Sequence, residues 1–153
     1  MISFTDTSAA VVRAATPADL PAVEQLLTAS DLPLAGVKEC LENFVVAESA
    51  GELVGVAGLE ICCDDALLRS VAVHPEWRSK GVGRAVVSRA IAEAESRGLR
   101  ALYLLTTTAE HYFPTFGFQK IAREAVPADV RATEEFTTAC PASATVMERR
   151  LAH

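Results

Sequence analysis

The residues that most constrain the fold of this chain form one run, 71–85, with the sequence VAVHPEWRSKGVGRA. An apolar strand ends at Pro75, which cannot donate a hydrogen bond to a sheet, and a glycine-containing loop then leads into an amphipathic helix. The first turn of a helix exposes unpaired N–H groups and a partial positive charge, which suit a phosphate. Gly81 and Gly83 keep side chains away from those amides. The run therefore predicts a binding site for an anionic, phosphate-bearing ligand.

The charge around this loop differs from the charge of the chain as a whole. The 153 residues carry a formal net charge of −6. Arg78, Lys80 and Arg84 nevertheless concentrate positive charge at the start of the helix. Phosphate backbones and anionic membranes attract basic surfaces, so an acidic chain is not expected to bind nucleic acid or a membrane. We expect one local site for a small anion instead.

The length and the apolar pattern predict a single α/β domain over residues 1–153, with 1–10 as a flexible or extended segment. A chain of 153 residues is long enough to bury one core. No apolar run reaches the roughly 18 residues that a membrane helix needs. The N-terminus lacks the basic start and the apolar stretch of a secretory signal. The predicted location is therefore the cytoplasm.

Apolar runs bounded by turn residues indicate the order of the elements. Gly55 and Gly58, inside one strand, mark a bulge or a close approach by another element. The predicted strands are 11–14, 44–48, 53–60, 66–73, 101–105 and, at the edge of the sheet, 144–149. The predicted helices begin at Thr16, span 37–41 and 83–97, and run from a capping box at 107–110 to Gly117; 126–138 is helix-like.

The cysteines give no sign of a metal site. Cys40, Cys62, Cys63 and Cys140 include no C-x-x-C pair, and no histidine stands at zinc-finger spacing. Neighbouring residues on a strand point to opposite faces, so Cys62 and Cys63 would not chelate an ion together. We therefore predict reduced thiols and no bound metal.

The glycine loop fits neither of two common phosphate-binding motifs. It lacks G-x-x-x-x-G-K-[ST] of nucleoside triphosphate sites and G-x-G-x-x-G of dinucleotide sites. Arg78-x-x-Gly81-x-Gly83, between a strand and a long helix, instead resembles the acetyl-CoA motif of the GCN5-related N-acetyltransferases. The resemblance covers about 44–118. It implies a central mixed, mostly antiparallel sheet of six to seven strands, flanked by about four helices.

This resemblance also implies acetyl-CoA as co-substrate. The family holds the pyrophosphate on the loop amides and pairs the pantetheine arm with the backbone of the preceding strand. The residues that match these positions are Val71, Ala72, Val73, Arg78, Ser79, Lys80, Gly81, Val82, Gly83 and Arg84.

A second set of runs narrows the resemblance. The segments 102–107, 111–113 and 117–118 are similar to the acetyltransferase domain of N-acetylglutamate synthases. Together with 67–73 and 140–144, they look most like the arsenic-resistance N-acetyltransferases. The resemblance implies transfer of an acetyl group to a small amino-acid-like amine.

The expected chemistry is direct attack of the amine on the thioester. An amine with a lysine-like pKa of about 10.4 is protonated at neutral pH, so a base must remove a proton. Glu60, at a strand end, is the first candidate, and a merely solvated carboxylate is the alternative. His111 is the second candidate because of its native pKa; the alternative is a surface or packing histidine. A backbone N–H near Val71 is the expected donor to the oxyanion.

The chain departs from the family pattern at two positions. Many members carry a tyrosine as general acid in a Phe-Tyr pair, whereas this chain has the reversed pair Tyr112-Phe113. N-acetylglutamate synthases place an acidic residue where this chain has Leu67. The first departure leaves no general acid to assign, and the second leaves the base open between Glu60 and His111.

Three polar residues are candidates for binding the acceptor. The guanidinium of Arg69 suits a carboxylate or another oxyanion; the alternative is that it pairs with an acid of the protein. Thr106 and Thr107 offer hydroxyls, although Thr107 also fits a helix cap. Phe113, Phe116 and Phe118 are expected in the core rather than in a pocket.

Three functions are compatible with these residues. The first is an N-acetyltransferase for a small amine, either glutamate-like or an arsenical amino acid. The second is a protein N-terminal or lysine acetyltransferase, and the third is a catalytically silent acyl-CoA-binding module. The expected partners are acetyl-CoA and the amine, and a homodimer is left open.

Overall fold

The structure, a computed structural model, describes residues 10–133, 136–137 and 143–151. The strands of this part are β1 Val11–Ala14, β2 Phe44–Ser49, β3 Glu52–Cys62, β4 Asp65–Val73, β5 Ala101–Thr106, β6 Gln119–Lys120 and β7 Thr145–Arg150. The α-helices are α1 Leu20–Ala29, α2 Val37–Cys40, α3 Val82–Ser96 and α4 Ala128–Arg131. Short 3-10 turns include Pro17–Asp19, Pro75–Trp77 and Phe113–Phe116.

The strands form one sheet in the order β1-β2-β3-β4-β5-β7-β6. The pairs β1–β2, β2–β3, β5–β7 and β6–β7 are antiparallel, whereas β4–β5 is parallel. This mixed, mostly antiparallel sheet confirms the predicted fold class. The predicted edge position of 144–149 was wrong, because β6 pairs with the outer side of β7. A two-residue strand is too short to show an alternating pattern in the sequence.

The chain forms two compact units. The first contains the described residues up to Gly58 together with Ser70–Ala90, and the second contains Leu59–Arg69 and the described residues from Ile91 onward. The prediction of a single domain over 1–153 stays a prediction. Of the predicted N-terminal segment, residues 1–9 lie outside the described part.

Each unit has its own apolar cluster. In the first unit, buried side chains of α1, α2 and β2 pack with Val56 of β3 and Ala72 of β4. In the second unit, the buried side chains are Leu67, Ala101, Tyr103, Val126, Val130, Phe136 and Val146. No helix of the described residues is long and apolar enough to cross a membrane.

The start of the first helical segment follows the prediction. The Asp19 carboxylate accepts hydrogen bonds from the backbone N–H of Thr16 at 2.7 Å and from its hydroxyl at 3.2 Å. A 3-10 turn follows, and α1 begins at Leu20. In the helix-like stretch 126–138, the described α-helix is limited to α4, and residues 134–135 and 138 lie outside the described part.

Candidate active site

The loop between β4 and α3 contains backbone conformations that few residues other than glycine adopt. Ser79 has φ +66° and Gly81 has φ +85°. A Cβ at Gly81 would have no atom within 4 Å, so its φ, rather than crowding, favours glycine. The helix then starts at once, with the N–H of Ala85 donating to the Gly81 carbonyl at 3.0 Å. Two left-handed residues thus lead directly into the first turn of a 15-residue helix.

The histidine before this loop has a structural role. The backbone N–H of His74 donates to the carbonyl of Val54 at 2.8 Å, which holds the end of β4 against β3. The Nδ1 atom of His74 accepts a hydrogen bond from the N–H of Glu76 at 3.1 Å and thereby caps the 3-10 turn. His74 therefore fixes the path by which the chain enters the glycine loop.

The predicted acetyl-CoA residues lie together in the first unit, on β4 and on the loop that follows it. Val71 and Val73 are half-buried, and Ala72 is buried. Val82 is buried and Gly83 is half-buried in the first turn of α3. The remaining side chains of this set are exposed: Arg78, Ser79, Lys80 and Arg84, together with Gly81. The Lys80 ammonium lies 5.6 Å above the Trp77 ring.

β4 contains a residue in a left-handed conformation directly before Val71. Ser70 has φ +59° inside the strand and is only 7% exposed. A residue in this conformation bends a strand and disturbs its regular hydrogen bonding, as in a β-bulge. An oxyanion donor was expected near Val71, whereas Ser70 was not among the predicted site residues. Serine is not one of the residues that favour positive φ, so its identity carries no such signal.

The second unit brings Glu60 and Arg69 together. The Nη1 atom of Arg69 donates to Oε1 of Glu60 at 2.9 Å. The side chain of Arg69 has no exposed surface, whereas that of Glu60 is 19% exposed. The predicted base and a predicted substrate ligand therefore form one ion pair. Leu67, where synthases of the family have an acidic residue, is fully buried in the apolar cluster of this unit.

The two threonines after β5 have different surroundings. The hydroxyl oxygen of Thr106 accepts a hydrogen bond from the N–H of Ala109 at 2.9 Å, and Thr107 is exposed. The predicted helix from 107–110 to Gly117, with Thr107 as its cap, was wrong: residues 107–112 form bends and turns, and the helical part is the 3-10 turn Phe113–Phe116. The exposed hydroxyl of Thr107 remains available to a ligand by its position.

His111 and Glu110 lie side by side in the same turn. The His111 side chain is 97% exposed, and its Nε2 atom is 4.0 Å from Oε1 of Glu110. The other carboxylate oxygen of Glu110 accepts a hydrogen bond from the Thr145 hydroxyl at 3.2 Å. Glu110 thus links the turn to the start of β7, a contact for which the sequence carries no local signal.

In the reversed pair Tyr112-Phe113, the tyrosine lies at the surface and the phenylalanine in the core. Phe113 is buried, and its ring centroid lies 5.9 Å from that of Phe118 and 6.4 Å from that of Phe116. These three rings confirm the core prediction. Tyr112 is 37% exposed and contacts Phe113 edge to face at 5.3 Å. The position where the family carries its tyrosine is therefore an apolar, buried ring.

The described cysteines do not belong to a cluster of metal-ligating side chains. Among the described residues, Cys40, Cys62 and Cys63 are thiols and not halves of a disulfide, and Cys140 lies outside the described residues. Within 10–133, 136–137 and 143–151, no three histidine, cysteine or acidic side chains group as metal ligands. A hydrogen bond to Asp129 raises the pKa of the Cys63 thiol.

Known proteins resemble this chain in sequence. Residues 41–120 match the family described as acetyltransferase (GNAT) domain. An amino-acid acetyltransferase of Mycobacterium tuberculosis is 32% identical over 130 residues, which cover 78% of this chain and 74% of that protein. An amino-acid acetyltransferase of Aeromonas salmonicida is 31% identical over 91 residues, or 58% of this chain. This chain spans only 21% of the length of the Aeromonas protein.

Solved structures resemble it in fold. A Mycobacterium tuberculosis protein crystallised in complex with CoA has a TM-score of 0.79 and 28% identity, and the match covers 93% of this chain and 99% of that one. N-acetylglutamate synthase from Neisseria gonorrhoeae, complexed with coenzyme A and N-acetyl-glutamate, has a TM-score of 0.82 and 23% identity. That match covers 95% of this chain and 36% of the synthase, and it supports the fold.

Proposed function

We propose, from the premise that this chain belongs to the GNAT acetyltransferase family, that it transfers the acetyl group of acetyl-CoA to the amine of a small amino-acid-like substrate. The single observation that carries the proposal is the loop between β4 and α3, in which the left-handed residues Ser79 and Gly81 lead into the helix. The M. tuberculosis relative named amino-acid acetyltransferase, at 32% identity, supports the substrate class.

The loop fits the diphosphate of acetyl-CoA. Its exposed residues carry positive charge, and a helix start adds N–H donors and a partial positive charge. The open space around Gly81 admits a phosphate close to the backbone. We propose the loop residues Arg78, Ser79, Lys80, Gly81, Val82, Gly83 and Arg84 as the diphosphate site, and Val71, Ala72 and Val73 as the backbone that pairs with the pantetheine arm.

The acyl transfer forms one C–N bond and breaks one C–S bond, and it is accompanied by two proton transfers. The amine nitrogen attacks the thioester carbonyl carbon, the C–N bond forms, and the C–S bond breaks to release CoA as its thiolate. The amine loses a proton to Glu60, with His111 as the second candidate base. The thiolate, with a pKa of about 8.5, takes a proton from solvent. A backbone N–H near Val71 donates to the oxyanion; the positive φ of Ser70, directly before it, supports this role.

The acceptor is a glutamate-like or arsenical amino acid in this proposal. Its support is the similarity of 67–73 and 102–107 to the families described above. We propose that the exposed hydroxyl of Thr107 binds the amino acid. Thr106 is half-buried beside it and is proposed to contact the same amino acid through its backbone or its hydroxyl. The cytoplasmic location and a homodimer stay predictions.

The test is a thiol-release assay with acetyl-CoA and a panel of amines. The panel contains the natural amino acids, arsenical and phosphinic amino acids, a protein N-terminal peptide and a lysine peptide. Turnover confined to small amino acids is the expected result. Acetylation of the peptides alone would overturn the small-substrate proposal. Binding of CoA without turnover of any amine would indicate an acyl-CoA-binding module.

A further inference from the structure

Two residues that the sequence suggested for separate roles are in direct contact in the second unit. Arg69 on β4 donates from Nη1 to Oε1 of Glu60 on β3 at 2.9 Å. The side chain of Arg69 has no exposed surface. A residue that binds the carboxylate of an incoming amino acid must present donors to solvent, and Arg69 presents no surface to it. Its burial therefore argues against the role of substrate ligand.

The position of Arg69 explains why it needs an acidic partner. Alternate residues of a strand share a face, so Arg69 lies on the same face of β4 as Leu67. Leu67 is fully buried and belongs to an apolar cluster with Tyr103 of β5. A guanidinium in such surroundings is costly unless it is paired and hydrogen-bonded. Glu60 supplies the opposite charge.

Glu60 is held at two points and stays accessible. Its side chain accepts the bond from Arg69, and its backbone carbonyl accepts a hydrogen bond from the thiol of Cys62 at 3.4 Å. The carboxylate keeps 19% exposure. A carboxylate has several lone pairs on its two oxygens, so a bond to Oε1 leaves others for a second donor. One edge of the group is thus anchored while part of the group reaches solvent.

We propose that Arg69 is a positioning residue that acts through Glu60, by fixing the carboxylate so that its accessible edge takes the proton of the attacking amine. This inference rests on the proposed acetyl transfer and changes the expected role of Arg69 from substrate ligand to partner of the base. In the step, an N–H bond of the amine breaks and an O–H bond forms on Glu60. Arg69 keeps its own protons throughout.

The experiment compares four versions of the full chain: wild type, Glu60→Gln, Arg69→Met and the double variant. Each is assayed with the best amino-acid substrate and with the matching amine that lacks the α-carboxylate. We expect Glu60→Gln to lower kcat by roughly 10²-fold, the lower end of the effect of removing a general base. Arg69→Met lowers kcat for both amines and leaves KM for the amino acid unchanged. The double variant matches Glu60→Gln within about twofold, since residues that act as a unit are not additive.

Three results would overturn the inference. The first is full activity of Glu60→Gln. The second is multiplication of the two losses in the double variant. The third is an Arg69→Met enzyme whose KM rises for the amino acid but not for the amine without a carboxylate, as a substrate ligand requires. A wild-type chain inactive towards every amine would overturn the proposed function itself, so the two failures are distinguishable.

A conservative variant separates positioning from folding. Arg69→Lys keeps the charge but loses the planar fork, so it holds the carboxylate less firmly. We expect its kcat to lie between those of wild type and Glu60→Gln, with the KM of wild type and an unchanged circular dichroism spectrum. A raised KM with the kcat of wild type would contradict the inference even where Arg69→Met does not fold.

Discussion

Gly55 of β3 lies against Val82, the first residue of α3, with no room for a side chain between them. A Cβ at Gly55 would stand 2.5 Å from Cγ1 of Val82 and 3.7 Å from the carbonyl oxygen of Ala72. The helix that follows the proposed diphosphate loop therefore begins in direct contact with the backbone of the sheet. A glycine in β3 is what permits this close packing.

Gly55→Ala is expected to destabilise the chain and weaken CoA binding. The added methyl group overpacks the contact with Val82, an effect that typically costs about 1–3 kcal/mol. It also displaces the first turn of α3, where we propose that the phosphates bind. The measurements are urea unfolding and calorimetric titration with CoA.

Val82→Ala provides the matched control for that variant. It removes the two methyl groups of Val82, one of which meets the added Cβ, so the double variant Gly55→Ala/Val82→Ala should lose less stability than the sum of the single losses. Neighbours that share a contact show such coupling, of about 0.5–3 kcal/mol. Strictly additive losses would mean that the approach of Gly55 to Val82 does not limit the packing.

Arg149, on β7, binds the 3-10 turn Phe113–Phe116 to that strand. Its Nε atom donates to the carbonyl of Phe116 at 2.7 Å, and it lies 3.1 Å from where a Cβ of Gly117 would be. Arg149→Met should lower the free energy of unfolding by about 1.5–3 kcal/mol, the usual range for a hydrogen bond to a charged group. Amide hydrogen exchange should accelerate in the segment 113–117.

The neighbouring arginine is a control on the same strand. Arg150 is 74% exposed in its side chain and lies 3.6 Å from Glu148. Exposed ion pairs contribute about 0–1 kcal/mol, so Arg150→Met should change stability little. Equal losses in the two variants would show that charge, rather than the bond to Phe116, accounts for the effect of Arg149.

The elements around the loop could be predicted because their signals are local. The strand predicted at 53–60 is observed as β3, the helix predicted at 83–97 as α3, and the glycine in β3 does mark a close approach. Alternation, helical periodicity and glycine placement depend only on neighbouring residues. They place the glycine loop between a strand and a long helix, the setting in which it resembles the acetyl-CoA motif.

The features that the sequence left open depend on how the strands pair and where they end. The pairing of Glu60 with Arg69 requires that β3 and β4 be neighbours. The Thr106 hydroxyl, rather than that of Thr107, accepts the local N–H bond because β5 is one residue longer than predicted, and a strand end is set by its pairing. The φ of +59° at Ser70 likewise has no signal in its residue type. Residue type alone does not encode any of the three.

Protonation of Asp19 should lower the stability of the chain at low pH. A hydrogen bond from Arg13, at 2.7 Å, lowers the pKa of Asp19 to about 2. A carboxyl group whose pKa is lower in the folded chain stabilises the fold above its unfolded pKa, and loses that effect as the pH falls through the folded pKa. The loss should therefore occur between about pH 4 and pH 2.

The measurement is urea unfolding of wild type and Asp19→Asn from pH 6 to pH 2. The difference in unfolding free energy between the two should be largest above pH 4 and shrink towards pH 2, because protonated Asp19 no longer binds Arg13 as an ion. Asp31→Asn, in an exposed turn, is the control for a general charge effect. A difference that does not depend on pH would contradict the assigned role of the ion pair.

Gly83→Glu tests the proposed diphosphate site most directly. Gly83 is half-buried in the first turn of α3, where a carboxylate would repel bound phosphate and occupy the space beside the loop amides. We expect the affinity for CoA to fall at least about tenfold, which corresponds to 1.4 kcal/mol. The fold should persist, because glutamate favours a helix over glycine by up to about 1 kcal/mol. Ser88→Glu, at an exposed position of the same helix, adds the same charge and should leave CoA affinity near that of wild type. Equal CoA affinity in both variants, with both folded, would place the diphosphate elsewhere than at the start of α3.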